Sequence, residues 1–265
     1  MISRNKFNEY VNHKQYVNHK QYDYIEQHKV TNAIILAAGK SKRFKPISDY
    51  CPKGLSIIKG EVLVERQIKQ LQAVGITDIT LVVGYKKEMF FYLEDKYNVK
   101  IVVNDHYDTQ DNVSSLRLVL DQLDNTYICS IDNYYPENLF NTYEYRGFYS
   151  TIYVENNTDE WIVTTDEQGY INDVTIGAPS GHIMLGFVYF DRQFSENFRQ
   201  VILDVEGIDE YNHHVWEYLY MKHLDRLKLE IKEFDKTSIL EFDTVDDAIY
   251  YDKDFLANNV KDSLG

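Results

Sequence analysis

This 265-residue chain is short of cysteine and of positive charge, and it lacks any long apolar run. Its two cysteines, Cys51 and Cys129, have no metal-type spacing, so a cysteine-rich metal site is excluded and a reduced, cytoplasmic setting is expected. Lysine and arginine number 28 against 42 acidic residues, a net charge of −14 with an isoelectric point near 5.0. So acidic a surface argues against broad nucleic-acid or anionic-membrane binding, which needs a basic face. No segment has the length of a membrane span or the pattern of a signal peptide. What is present is enough apolar content, 44%, to bury one full core. Tyrosine is abundant at 23 residues, which an AT-rich codon bias explains as well as function does.

The most informative segment is Asn32 to Pro52, NAIILAAGKSKRFKPISDYCP, followed by Lys53 and Gly54. Its apolar start, Ala33 to Ala38, has the length and branching of a buried strand and breaks at Gly39 into a basic loop. Backbone N–H groups exposed by a glycine turn bind phosphate oxygens, and Lys40, Lys42, Arg43 and Lys45 supply positive field. In a chain this acidic, the local reversal of sign predicts a focused pocket for an anionic ligand such as a triphosphate.

Apolar strands and helical stretches alternate from there on. Strands are expected at Ala33–Ala38, Ile79–Val83, Lys100–Val103 and Tyr127–Ile131, with helices at Val62–Val74, Lys86–Lys96 and Ser114–Leu123. This pattern predicts an α/β fold, Rossmann-like, with a mixed, mainly parallel sheet flanked by helices. Ligands of such sheets lie beyond the carboxyl ends of the strands, where Gly39 and Asp132 converge. Further strands are expected at Ser150–Val154, Trp161–Thr165, Tyr170–Ile176 and Met184–Phe190, walling the crevice, followed by a helix at Asn212–Leu224, another strand at Leu229–Phe234 and a closing helix from Asp243 on. The expected division is an N-terminal polar extension (1–30), a single domain (31–250) and a C-terminal tail (251–265). The extension carries a direct repeat, YVNHKQ at Tyr10–Gln15 and Tyr16–Gln21. His13, His19 and His28 do not form a closed ligand set, so a frayed or helical segment is expected there rather than a metal site.

Taken together, LAAGKSKRF, CPKGL, GITDITLVVGYKKE, DNVSSL, SIDNYY, DEW and VWEYL resemble the nucleotidyltransferases with a sugar-nucleotide fold, and within them the bacterial phosphocholine cytidylyltransferases. The resemblance spans roughly Asn32 to Asp246. It implies transfer of CMP from CTP to phosphocholine, with Mg²⁺ as cofactor, to make CDP-choline for decorating a cell-surface polymer. The expected partners are therefore CTP and a small phosphorylated acceptor, with neither nucleic acid nor membrane; a homodimer is compatible with this reading. The acceptor phosphate is already ionised near neutral pH, so the protein's task is to neutralise and align two anions rather than to supply a strong base.

On the matching positions, the resemblance places the triphosphate on Ala37, Ala38, Gly39, Lys40 and Ser41, with Ser41 standing where many relatives have a second glycine. Arg43 closes the loop and Lys53 compensates charge in the transition state. Asn112, Ser114 and Ser115 read the pyrimidine edge, although Ser114 also suits a helix N-cap. Asp132 and Glu217 become the metal carboxylates. Asp132 also reads as a turn cap, and Glu217, where the family usually has aspartate, also reads as an ordinary helix glutamate. A quaternary ammonium asks for aromatic faces and a nearby carboxylate, which points to Glu160, Trp161, Tyr134, Tyr189 and Trp216, with Phe187 as a further candidate; aromatic residues on strands are otherwise core. Glu160 and Trp161 are adjacent, so on a regular strand they face opposite ways. The competing readings are another acceptor (2-aminoethylphosphonate, another phosphorylated amine or amino acid, or a sugar 1-phosphate) and a catalytically silent nucleotide-binding protein on the same fold.

Overall fold

The run Asn32–Ala37 is apolar and almost wholly buried, as a strand covered on both faces must be, and it becomes the central strand, β1. The computed structural model describes residues 2–260. Two helices precede β1, α1 (Arg4–Asn12) and α2 (His19–Glu26). A small hairpin, β2 (Ile57–Ile58) and β3 (Glu61–Val62), leads into α3 (Leu63–Ala73), followed by β4 (Ile79–Val83), α4 (Tyr92–Tyr97), β5 (Lys100–Val103), α5 (Asn112–Arg117) and β6 (Thr126–Ser130). Then come β7 (Asn133–Tyr134), β8 (Phe148–Val154), β9 (Thr158–Thr165), β10 (Ile171–Ala178), β11 (Gly181–Phe190), α6 (Arg192–Asp204) and α7 (Trp216–Lys222). The chain ends through β12 (Glu230–Phe234), β13 (Leu240–Glu241), α8 (Val245–Tyr251) and α9 (Phe255–Asn259).

The main sheet runs β10-β9-β11-β6-β1-β4-β5, with β8 paired to β11 and β12. Strands β6, β1, β4 and β5 are mutually parallel, and β11 joins β6 antiparallel. Alternate side chains feed two cores. Ile34 and Val82 pack with Phe194, Phe198 and Trp216 on one face, while Ile35 and Leu81 pack with Ile68, Leu71 and Phe187 on the other. Val64, Ile68 and Leu71 recur at helical spacing, which docks α3 on the second face. The mainly parallel sheet is thus as expected, and it aims the carboxyl ends of β1, β5 and β6 at one edge.

Three expected helices are broken. Lys86–Lys96 opens as a 3₁₀ turn at Lys87–Phe90 after Lys86 takes a left-handed backbone, and only then becomes α4. The Ser114–Leu123 segment begins two residues early, because the Asp111 carboxylate caps it at Asn112, and it stops at Arg117. The Asn212–Leu224 segment splits into a 3₁₀ turn, Asp209–His213, and α7, with His214 and Val215 extended between them.

The boundary expected at residue 250 does not hold. Phe255 is fully buried, edge-on to Phe44 at 5.7 Å, and the Asn259 side chain bonds the backbone N–H and C=O of Ile57 at 2.7 and 2.8 Å. An apolar seat and two backbone bonds make residues up to Val260 part of the body; 261–265 lie outside the described residues. The N-terminal extension is helical and docks through Phe7 and Ile25. Its repeat is used in two ways. The first copy ends α1, and in the second Asn18 and Gln21 form a capping box that starts α2. Among the described residues, no helix is long and apolar enough to cross a membrane.

Candidate active site

A cleft of about 590 Å³ opens at the carboxyl ends of β1, β5 and β6. One wall is the loop leaving β1, including Gly39, Lys40, Ser41, Lys42 and Arg43. Ser41 takes the left-handed conformation, φ 47° and ψ 51°. That backbone suits glycine and costs a serine roughly 1 kcal/mol, so the loop keeps a glycine-like shape despite the substitution. The opposite wall comes from Tyr107, whose ring lies 5.6 Å from the Lys40 ammonium. Gly84 permits this approach, since a Cβ there would stand 2.5 Å from Tyr107 Cβ and 2.8 Å from the Ala38 carbonyl oxygen.

At the cleft's inner end, four side chains alternate in charge. Arg43 pairs with Asp243 at 2.8 Å, Asp243 lies 3.7 Å from the Lys53 ammonium, and Lys53 pairs with Asp132 at 3.2 Å. Lys53 is only 6% exposed, so its charge acts in a poorly hydrated position. Asp132 stands two residues past the end of β6, and its Oδ1 accepts from the Ser130 hydroxyl at 2.6 Å. Asp243 and Glu241 arrive from the far end of the chain. Strand β13 pairs antiparallel with β7, setting Glu241 opposite Asn133, and the Phe242 N–H donates to the Asp132 carbonyl at 3.2 Å. Carboxylate oxygens of Asp132, Glu241 and Asp243 lie within 4.8 Å of one another, the one such group among the described residues. Glu241 keeps solvent contact, yet desolvation by the protein around it, and then the Asp132 and Asp243 charges, push its carboxyl up to about 8. Sequence reasoning missed Glu241 and Asp243. The available signal was their spacing of two, which puts both on one face of an extended strand.

Gly54, next to Lys53, is required by packing. A Cβ there would stand 2.1 Å from Ile131 Cγ1, and Ile131 immediately precedes Asp132. Gly54→Ala is therefore expected to push Lys53 and Asp132 apart, lowering turnover at least about tenfold and stability by about 1–3 kcal/mol, as overpacking does. Steady-state kinetics beside thermal unfolding checks this; wild-type turnover in the variant would show that Ile131 simply yields.

The remaining expected site residues divide clearly. Ala38, Gly39, Lys40, Ser41, Asn112, Ser115, Arg43, Lys53 and Asp132 all line the cleft. Ala37 does not, because strand alternation turns its side chain into the second core. Ser114 is buried and donates to the Asp111 carbonyl at 2.7 Å while accepting from Asn104 at 2.8 Å, so its hydroxyl serves the fold. Asn112 Oδ1 accepts from the Trp216 N–H at 2.6 Å, capping α7. Asn104, unforeseen, reaches the cleft from the end of β5 and also bonds Ser115 at 3.0 Å.

The aromatic wall is mostly a correction. Tyr134 packs with Phe242 and Tyr251, and Tyr189 with Tyr127 and Phe148. Trp216 stacks on Tyr149 at 5.8 Å within the first core, and Phe187 is fully buried in the second. Large apolar area is held more strongly by the core than by an open cleft. Trp161 is half-buried on β9 and packs against the first core. Its neighbour Glu160 is exposed and close enough to Glu241 to add to the rise in its pKa.

Glu217 stands apart from the three clustered carboxylates. It accepts from the Tyr149 hydroxyl at 3.1 Å, and burial, reinforced by Asp111, pushes it up to about 7. Its carboxylate is turned toward Tyr149 and lies outside the group formed by Asp132, Glu241 and Asp243, which corrects the metal role expected for it. The folded protein keeps this proton up to about pH 7, whereas the ordinary value is 4.5. The stability that the protonated form contributes is complete below pH 4.5 and lost as pH rises through 7. Glu217→Gln is accordingly expected to raise Tm at pH 8 by roughly 3–8 °C, with no gain at pH 4. Equal melting curves at both pH values would show that Glu217 ionises freely.

Comparison with known proteins adds to this geometry. Residues 33–141 match the MobA-like NTP transferase domain. The chain is 34% identical to the choline-phosphate cytidylyltransferase of Streptococcus pneumoniae over 81% of its own length and 94% of that protein. It is 29% identical to a 2-aminoethylphosphonate cytidylyltransferase of Lancefieldella rimae, over 85% of this chain and 94% of the other. The solved structure of the CTP:phosphocholine cytidylyltransferase of S. pneumoniae superimposes with a TM-score of 0.81 at 33% identity, covering 84% of this chain and 98% of that one.

Proposed function

The chain belongs to the nucleotidyltransferase family that includes the choline-phosphate cytidylyltransferases, and from that premise we propose that it transfers CMP from CTP to phosphocholine, giving CDP-choline and pyrophosphate. One observation carries the reading: a cationic loop shares a cleft with a buried lysine and with Asp132 and Asp243, two of the three clustered carboxylates. In the reaction an oxygen of the acceptor phosphate forms a new bond to the α-phosphorus of CTP. The bond from that phosphorus to the α–β bridging oxygen breaks, and pyrophosphate leaves with the electron pair. No side chain has to take a proton from the nucleophile.

The loop from Gly39 to Lys42 holds the β- and γ-phosphates through backbone N–H groups and lysine charge, and Arg43 closes over them. Lys53 brings fixed positive charge to where the two anions meet. Asn112 and Ser115 offer the amide and hydroxyl groups for the base edge, with Asn104 holding Ser115 in place. Asp132, Glu241 and Asp243 fit a hard divalent cation. All their donors are carboxylate oxygens lying within 4.8 Å of one another, a concentration of negative charge that a cation would neutralise. Held by these carboxylates, Mg²⁺ would supply charge neutralisation at the phosphate oxygens. The Glu160 carboxylate, near that of Glu241, suits a cationic acceptor. We place the reaction in the cytoplasm, ahead of a step that attaches the phosphocholine group to a cell-surface polymer.

A second reading follows from the buried aromatics. With Tyr134, Tyr189 and Trp216 in the core, the acceptor cation is met more by carboxylates than by rings, and a primary amine such as 2-aminoethylphosphonate suits carboxylates equally. Pyrophosphate release from CTP, UTP, dTTP and ATP against phosphocholine, 2-aminoethylphosphonate, phosphoethanolamine and glucose 1-phosphate, with product masses, decides between them. Turnover confined to CTP with phosphocholine is the expected result. A preference for 2-aminoethylphosphonate would move the assignment to the second reading, and silence with every pair would overturn both.

A further inference from the structure

The turn that carries Asp132 is held from behind by a helix that never enters the cleft. Gln67, on α3 and 1% exposed, donates both protons of its amide nitrogen, to the carbonyls of Ser130 at 3.0 Å and Asn133 at 2.7 Å. These two residues bracket Asp132 on either side. Its own carbonyl accepts from Phe242, so three backbone carbonyls within four residues are fixed by donors from outside the turn. Gln67 Oε1 has no hydrogen-bond partner, which leaves the NH₂ group as the polar function of this buried side chain. The neighbours on the same helix face act on the following residues: Arg66 donates to the carbonyls of Tyr135 and Pro136, and Gln70 to those of Tyr135 and Glu137.

We propose that Gln67 is a positioning residue for the cation site, fixing the Ser130–Asn133 turn so that Asp132 stays within coordinating reach of Asp243 and Glu241. The inference rests on the reading of those carboxylates as a divalent-cation site. Where β6 ends, the sheet no longer supplies donors to these carbonyls, and a buried carbonyl without one reorients until it finds another. Because the turn is short, such reorientation swings the Asp132 side chain. Gln70 provides a matched control. It also donates to two carbonyls from the same face of α3, but to residues beyond the turn.

The test is Mn²⁺ binding to the full chain, followed by the paramagnetic resonance of unbound Mn²⁺, with and without CTP. Alongside it, Tm is measured for Gln67→Met and Gln70→Met. Both variants are expected to melt earlier by similar amounts. Only Gln67→Met is expected to bind Mn²⁺ roughly tenfold more weakly or worse, the usual scale for loss of an outer-shell partner, while Gln70→Met stays within about twofold of the unsubstituted protein. Gln67→Asn keeps the amide but is one methylene shorter, so it reaches one carbonyl at most; it is expected to fall between the two and serves if Gln67→Met does not fold. Mn²⁺ affinity in the Gln67 variants equal to that in Gln70→Met would overturn the positioning role and leave the cation site standing. Failure of the unsubstituted protein to bind Mn²⁺, even with CTP present, would overturn the cation site and the positioning role together.

Discussion

Replacing Asp132 by asparagine is expected to slow nucleotidyl transfer by about a thousandfold or more, equivalent to roughly 4 kcal/mol of lost transition-state stabilisation. The substitution preserves shape and removes one charge from the centre of the carboxylate group. Asparagine still accepts from the Ser130 hydroxyl, so the turn is retained. What is lost is the anionic oxygen paired with Lys53 and grouped with Glu241 and Asp243. Single-turnover pyrophosphate release, beside Mn²⁺ binding, separates the possibilities. A rate loss accompanied by loss of Mn²⁺ affinity supports Asp132 as a cation ligand. An unchanged rate would leave it as a turn residue, the plainer reading that its place before Asn133 allows.

Lys53→Met is expected to lower turnover by about a hundredfold or more without weakening Mn²⁺ binding. The buried ammonium lies between Asp132 and Asp243, and it lowers the Glu241 pKa against the push of the surrounding acids. Removing it makes the group more negative, which favours a divalent cation while stripping positive charge from the meeting point of two phosphates. The protein is expected to fold, because the side chains of Asp132 and Asp243 remain 20% and 28% exposed, so water can solvate them when Lys53 is gone. The diagnostic result is the contrast between the two variants, one losing both rate and metal, the other rate alone. A Lys53→Met enzyme with normal turnover would reduce Lys53 to a counter-ion that keeps the carboxylates apart.

The legible part of the molecule was local. Asn32–Ala37 announced a strand by its unbroken apolar run, the following basic loop announced anion binding by its sign, and Asp132 stood at the end of another buried strand. Each signal is contained in a few contiguous residues whose backbone preferences agree with the final fold. The helix expectations failed at Lys86, Asp111 and His214 for an equally local reason: left-handed backbone, an Asx cap and an extended residue each redirect the chain without changing its apolar spacing.

The sequence by itself determined the parallel sheet, the edge at which ligands bind, and the cationic half of the cleft, because strand length, turn chemistry and charge are properties of short segments. Tertiary structure alone decided which acids complete the site and which aromatic rings face it. Glu241 and Asp243 reach Asp132 only because a two-residue strand, Leu240–Glu241, pairs with Asn133–Tyr134 across more than a hundred intervening residues, a contact too short and too distant to leave a periodic trace. Tyr134, Tyr189 and Trp216 went to the core because their apolar area is better satisfied by neighbouring rings than by a cleft, and such a choice depends on what the rest of the chain brings alongside them.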